Sequence, residues 1–110
     1  MKISILLPLK ENFSPEYPGA VSIFINDTLN QSKFKSSTTV FGSTNYKKKF
    51  NHNYINLKPK NFLLQSQNKK YVEEFEKYEQ KNKSDLIEIH NRPNYVNYIK
   101  NYNKSTKLIL

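Results

Sequence analysis

The sequence has no cysteine and no tryptophan, and it contains only two glycines, Gly19 and Gly42. The absence of cysteine excludes a disulfide framework, a thiolate metal site and a cysteine nucleophile, which suits a reducing cytoplasm. Two isolated glycines cannot form the G-x-G-x-x-G dinucleotide fingerprint or a Walker loop. No apolar run approaches the ~18 residues of a membrane-spanning helix, and the apolar run at residues 3–9 is too short and interrupted for a signal peptide. We therefore expect a soluble, cytoplasmic protein.

Acidic residues are scarce: nine stand against eighteen basic ones, which gives a formal net charge of +9. Such a balance is typical of proteins whose partners are nucleic acid, acidic membranes or phosphorylated substrates. However, Arg92 is the only arginine, and the abundance of lysine and asparagine indicates a compositional bias. We interpret the run Lys47-Lys48-Lys49 as a solvated face. Peripheral contact with anionic lipid at the inner face of the membrane is the alternative.

Apolar patterning predicts strands that alternate with helices. The nearly continuous apolar run from Ile3 to Leu7, closed by Pro8, is typical of a strand buried on both faces, as in parallel sheets, and predicts a strand near residues 2–8. Four further strands are predicted at 38–42, 54–57, 85–90 and 106–110. Helices are predicted after Gly19, over about 66–82 and, as a short segment reaching Tyr102, after Pro93. The pattern favours an α/β fold, a Rossmann-like open parallel sheet in the order 3-2-1-4-5 with helices on both faces.

The sequence ends within an apolar run, Leu108-Ile109-Leu110. Because an uncovered strand edge is an aggregation hazard, we expect the natural protein to continue beyond this point. No repeat or linker divides residues 1–110. We interpret them as one unit, a partial N-terminal domain.

Two loops of the predicted sheet are candidates for a ligand site, because open α/β sheets bind ligands beyond the carboxyl ends of their strands. The first loop, residues 8–19, precedes a predicted helix whose free N–H groups favour a phosphate. Gly19 would let the backbone approach that ligand closely. An ordinary turn glycine is the alternative interpretation.

The second loop follows the fourth predicted strand and includes residues 88–93, EIHNRP. Strand alternation places Glu88 and His90 on one face of the sheet. Arg92 suits bidentate binding of phosphate or carboxylate, and a histidine can bind a sugar hydroxyl or transfer a proton. Simple pairing of Glu88 with Arg92 is the alternative. No His, Asp or Glu cluster has metal-ligand spacing, so no metal site is predicted.

Three segments resemble the N-terminal domain of family-4 glycosyltransferases, retaining enzymes of the GT-B type: KISILLP at 2–8, PGAV at 18–21 and DLIEIHNRP at 85–93. Many members of that family build lipopolysaccharide and other cell-surface glycans. The family's fourth strand typically reads D-x-[IV]-H-x-H before a short polar motif. Here His90 matches the second histidine, and Glu88 replaces the first. The family's first loop usually carries two adjacent glycines, whereas here Pro18 precedes Gly19.

The resemblance implies an enzyme, a nucleotide-sugar-dependent glycosyltransferase of the hexosyltransferase type that passes a sugar to a glycan or lipid-linked acceptor. By analogy, His90 is the catalytic candidate, and Gly19, Glu88, Asn91 and Arg92 are the substrate-binding candidates. The donor nucleotide would bind mainly in a C-terminal domain, so residues 1–110 alone are expected to be inactive. No cofactor or metal is implied, since basic residues and helix N-termini would stabilise the leaving diphosphate. The expected partners are the donor, the acceptor and the C-terminal domain, and no nucleic acid.

Two other classes of function compete with this interpretation. A small Rossmann-like or flavodoxin-like binding module without chemistry predicts a complete sheet whose last strand is covered. A nucleic-acid-binding protein predicts lysines gathered on one face, whereas these lysines are spread along the chain.

Overall fold

The computed structural model describes residues 1–59 and 67–99 and, for the backbone alone, residues 106–109. Its five strands form one sheet in the order β3-β2-β1-β4-β5, and every neighbouring pair is parallel. The strands are β1 (Ile3–Leu6), β2 (Thr38–Gly42), β3 (Asn53–Asn56), β4 (Leu86–His90) and β5 (Thr106–Ile109). The α-helices are α1 (Ala20–Asn30) and α2 (Gln67–Lys81). The α/β class, the Rossmann-like open sheet and the strand order predicted from the sequence are confirmed.

β1 lies at the centre of the sheet because none of its side chains needs water. All four of its residues are buried, and Ile5 is opposite Val40 of β2 on one side and Glu88 of β4 on the other. Its one polar side chain, Ser4, donates a hydrogen bond to Glu79 on α2 over 3.0 Å. Burying such a row of apolar groups stabilises the fold by roughly 1.5–3 kcal/mol per large side chain.

The two helices cover opposite faces of the sheet. Ile3 and Ile5 pack with Ile25 and Leu29 of α1, whereas Leu6 faces the other way and packs against α2. Side chains alternate along a strand, so a continuous apolar run supplies both layers at once. None of the described helices is long and apolar enough to cross a membrane.

The short helix predicted after Pro93 is present as a 3₁₀ helix (Pro93–Tyr98), and Tyr102, predicted on the same segment, lies outside the described residues. On α2, Lys77 pairs with Glu74 over 2.9 Å, since positions three apart on a helix are neighbours.

Glu79 lies in the last turn of α2, which ends at Lys81. The Glu79 carboxylate accepts hydrogen bonds from the backbone N–H and the hydroxyl of Ser84, over 3.0 and 2.6 Å. These contacts, together with the bond from Ser4, fix the end of α2 against the sheet.

The buried hydroxyl of Tyr71 ties α2 to the carboxyl ends of two strands. It donates to the carbonyl of Leu7 over 2.6 Å and lies 3.3 Å from the carbonyl of Phe41. The side chain is fully buried, and burial raises the pKa of its hydroxyl well above the usual value for tyrosine. The group therefore stays a neutral donor and holds the ends of β1 and β2 at a fixed separation.

We expect Tyr71→Phe to lower the free energy of unfolding by about 1–3 kcal/mol, because the Leu7 carbonyl would remain buried without its donor. Tyr78→Phe on the same helix is the matched control, since Tyr78 is 42% exposed. The control should change stability by less than about 0.5 kcal/mol. Urea unfolding of both variants measures the difference, and equal losses would contradict the role given to the Tyr71 hydroxyl.

Candidate functional site

Glu88 and His90 lie side by side on the α1 face of the sheet, as strand alternation predicts. The Nε2 of His90 lies 3.4 Å from Oε2 of Glu88, near the outer limit of a hydrogen bond. The imidazole is 4% exposed, and its centroid is 6.5 Å from the ring of Phe24 on α1. Both residues line a mostly apolar cavity of about 140 Å³. This pairing can orient the imidazole, but the cavity is smaller than the 300–1,000 Å³ typical of sites that enclose a small molecule.

Asn91 and Arg92 are exposed at the carboxyl end of β4. Asn91 has a φ of 57°, a left-handed conformation that asparagine adopts more readily than most residues. It turns the chain away from the sheet. The guanidinium of Arg92 donates to the carbonyl of Asn91 over 2.8 Å. Within the described residues, Glu88 is thus paired with His90 and not with Arg92, so both exposed side chains face solvent at the edge where a ligand would arrive.

The first turn of α1 is occupied by a carboxylate of the protein itself. Ser22 donates from its hydroxyl to Oε2 of Glu11 over 3.2 Å, and a Cβ placed on Gly19 would lie 1.5 Å from that oxygen. Negative charge at this position is stabilised by the positive end of the helix dipole. The close approach that Gly19 allows is therefore made by Glu11. The proximity of Gly19 to a ligand phosphate stays a prediction.

The loops that follow β1 and β4 are joined by the hydroxyl of Tyr95. The backbone N–H of Leu9 donates to this hydroxyl over 3.1 Å, and the hydroxyl donates to Oδ1 of Asn68 on α2 over 2.7 Å. Burial raises the pKa of Tyr95, so the hydroxyl keeps its proton at neutral pH. The segment after β1 is thus held to the 3₁₀ helix that follows the second candidate loop, at one edge of the sheet.

A larger cleft, of about 840 Å³, opens at the carboxyl edge of β1, β2 and β3. Its volume lies in the range of small-molecule sites. The residues that line it come from the segments following these strands and from the start of α2: Leu9, Lys10, Asn12, Ser43, Thr44, Asn45, Tyr46, Lys47, Lys49, Asn56, Lys58, Pro59 and Gln67. It includes the beginning of the first candidate loop and none of residues 88–93. The sequence analysis missed this cleft, although the polar segment after β2 also begins at the ligand-binding edge.

A hydrogen-bond network joins the three strand-end segments of the cleft. Oδ1 of Asn56 accepts from the backbone N–H of Thr44 over 2.9 Å and from the hydroxyl of Tyr54 over 2.8 Å. Its Nδ2 donates to the carbonyl of Thr44 over 3.2 Å. The Thr44 hydroxyl in turn donates to Oδ1 of Asn12 over 2.7 Å. Since each bond fixes a neighbour, the wall of the cleft is preorganised before any ligand arrives.

His52 lies at the opposite, amino edge of the sheet. Its polar surroundings in the sequence suggest a solvated side chain, but in the structure its ring makes a hydrogen bond within the protein. Its Nε2 donates to Oδ1 of Asn26 over 2.8 Å. Burial and the nearby charge of Lys35 lower its pKa. With Lys33 and Lys35 it lines a cavity of about 390 Å³.

Within the part of the chain that the structure describes, no cluster of His, Cys, Asp and Glu could hold a metal ion.

We expect Gly19→Ala to destabilise the fold mainly by displacing the Glu11 carboxylate from α1. A carboxylate at a helix N-terminus contributes about 0.3–1 kcal/mol, so Gly19→Ala should cost less in a Glu11→Ala background than in the wild type. Glu16→Ala, in the same loop and exposed, is the control and should be additive with Gly19→Ala. A double-mutant cycle by urea unfolding measures the coupling. Additive losses for Glu11 and Gly19 would show that the carboxylate does not depend on this glycine.

Comparison of the chain with protein-family models, with curated proteins and with solved structures finds no match. The resemblance to family-4 glycosyltransferases thus stands on the residues of β1, the loop to Gly19 and β4 alone. The fold class, by contrast, stands on the strand order and the helices of the structure itself.

Proposed function

We propose that this chain is the acceptor-side domain of a nucleotide-sugar-dependent glycosyltransferase. The enzyme would transfer a sugar to a glycan or lipid-linked acceptor in the synthesis of cell-surface polysaccharide or lipopolysaccharide. In this proposal it acts in the cytoplasm or at the inner face of the membrane. A second domain supplies most of the donor nucleotide site.

The observation that carries the proposal is the placement of the two family-like loops. In the strand order 3-2-1-4-5, the direction of strand addition reverses between β1 and β4. Ligands of open α/β sheets bind at such a switch point, beyond the carboxyl ends of the strands. The loops after β1 and β4 flank this point, and the bond from Leu9 to Tyr95 holds them together. The segments that resemble the family are therefore those that border the expected ligand position.

The candidate residues at the end of β4 can each be given a role that fits their surroundings. The exposed guanidinium of Arg92 can bind a phosphate or carboxylate in a bidentate manner, and the Asn91 amide can bind sugar hydroxyls. His90, oriented by Glu88, would contact a sugar hydroxyl after the side chain of Phe24 moves, since the cavity that holds the imidazole is small. In this arrangement transition-state stabilisation comes from fixed charges and dipoles rather than from a bound metal.

A second candidate function is a non-catalytic Rossmann-like binding module. The specific observation in its favour is the Glu11 carboxylate beside α1, which occupies the helix N-terminus where a donor phosphate would otherwise be stabilised. Such a module would bind a small molecule at the same edge without transferring any group.

Titration of the ¹⁵N-labelled chain with neutral and carboxylate-bearing oligosaccharides tests the proposal. We expect amide shifts in the loops after β1 and β4, because both border the switch point, and no turnover of nucleotide sugars by the chain alone. Arg92→Gln should weaken acceptor binding by on the order of tenfold, the value of one charge-assisted hydrogen bond. Lys83→Gln, at the exposed amino-edge side, is the matched control and should leave binding unchanged.

Two outcomes would count against the proposal. Sugar transfer by the purified 110-residue chain would refute the division of labour with a second domain. If none of the oligosaccharides tested shifts the amide resonances of the loops after β1 and β4, the binding module would be favoured.

A further inference from the structure

The cleft at the carboxyl edge of β1, β2 and β3 is lined by four lysines, Lys10, Lys47, Lys49 and Lys58. None of the described residues that line it is acidic. The other polar groups around it are amides and hydroxyls, which donate hydrogen bonds without adding negative charge. A concave site with charge of one sign focuses its field and attracts ligands of the opposite sign.

Lys49 stabilises the turn that borders this cleft. Its ammonium donates to the carbonyl of Tyr46 and, over 3.2 Å, to the carbonyl of Lys47, and it lies 5.8 Å from the ring centroid of Tyr54. These contacts close the turn that carries Lys47. The charge of Lys49 is thus fixed at the wall of the cleft, close to the chain segment where Lys47 emerges.

The ammonium groups of the other three lysines are available to a ligand. Within the described residues, Lys10, Lys47 and Lys58 form no ion pair, and all three are exposed. Their convergence comes from the topology, since they follow β1, β2 and β3 and the carboxyl ends of parallel strands meet at one edge. Lysines from three distant parts of the sequence thereby border one cavity.

Lys10 has a φ of 69°. A left-handed backbone conformation costs a non-glycine residue about 1–2 kcal/mol, and such outliers cluster at ligand-binding sites. Glycine or asparagine would adopt this conformation at a lower cost. A lysine here therefore contributes a charge to the cleft at the expense of local backbone strain.

We propose that this cleft binds a phosphate-bearing ligand of about the size of a sugar phosphate or a nucleotide. Three unpaired ammonium groups match the charge of a phosphate or diphosphate, and the preorganised amides and hydroxyls suit the ligand's hydroxyl groups. The cleft volume of about 840 Å³ accommodates such a molecule. The phosphate can belong to a soluble metabolite or to a lipid headgroup. The inference does not depend on sugar transfer, because a binding module with this cleft would recognise the same chemistry.

Calorimetric titration of the chain with inorganic pyrophosphate at low ionic strength tests the inference. We expect saturable binding in the calorimeter. In an NMR titration of the ¹⁵N-labelled chain we expect amide shifts at Lys10, Thr44 and Tyr46. Lys47→Gln with Lys58→Gln should weaken pyrophosphate binding by at least about tenfold, because two charge-assisted contacts are lost. Lys81→Gln with Lys83→Gln removes the same charge at exposed positions near the opposite edge, and it should change the affinity less than about twofold, through screened long-range attraction alone.

Lys10→Asn separates binding from folding. Asparagine tolerates a positive φ, so the variant should keep or gain stability while binding pyrophosphate several-fold more weakly. Equal weakening by the two double variants, or absence of saturable pyrophosphate binding, would overturn the inference. Binding of single-stranded nucleic acid that is lost in the Lys47/Lys58 double variant, without saturable binding of pyrophosphate, would also overturn it and would assign the lysines to a nucleic-acid surface.

The source of the phosphate is distinguished with vesicles of phosphatidylcholine containing phosphatidate. Sedimentation of the chain with these vesicles, reversed by pyrophosphate and lost in the Lys47/Lys58 double variant, would support the inference with a lipid headgroup as the source. Pyrophosphate binding without sedimentation would support it with a soluble phosphate. Sedimentation that the double variant retains would place lipid contact elsewhere and overturn the assignment to this cleft.

Discussion

The arrangement of the carboxyl edge of the sheet depends on the hydrogen bonds of the buried Tyr71 hydroxyl. It lies where β1 and β2 end and bonds to the carbonyls of Leu7 and Phe41 from within the core. Leu7 also donates its backbone N–H to Phe41 over 2.9 Å, which continues the strand pairing by one residue. Because burial keeps the hydroxyl protonated, this anchor persists over the whole physiological pH range. The loops that leave the sheet therefore start from fixed points, and two candidate ligand sites lie beside each other at this edge.

These two places use the same edge in different ways. At the switch point between β1 and β4, the buried imidazole of His90 and the partly exposed carboxylate of Glu88 lie beside exposed Asn91 and Arg92. On the other side of β1, unpaired lysines surround an open cleft whose wall is fixed by Asn56 and Thr44. Tyr95 and Tyr71 lie between them, with ring centroids 6.0 Å apart. A phosphate in the lysine cleft and a sugar at the switch point would be bound by neighbouring loops of one rigid edge.

The sequence predicted the sheet well and the site only in part, for a physical reason. β1 and β4 are predicted from short runs rich in apolar residues, as expected for strands covered on both faces, although each also contains a buried polar side chain, Ser4 in β1 and His90 in β4. The placement of Glu88 and His90 on one face of the sheet follows from the two-residue period of a strand, whereas the contact between them is seen only in the structure. The contact of Glu11 with α1 and the convergence of Lys10, Lys47 and Lys58 depend on loops whose paths no local pattern encodes. For the same reason the sequence does not show that the run Lys47-Lys48-Lys49, which compositional bias explains, borders the 840 Å³ cleft through Lys47 and Lys49.

The central claim is that ligands bind at the carboxyl edge of the sheet. The most direct measurement is an amide chemical-shift map of the chain with a nucleoside diphosphate sugar, which carries both a diphosphate and a sugar. The account predicts shifts that cluster after β1, β2 and β4, around Lys10, Tyr46 and Arg92. Shifts that cluster instead around Lys33, Lys35 and His52, beside the cavity at the amino edge, would contradict it.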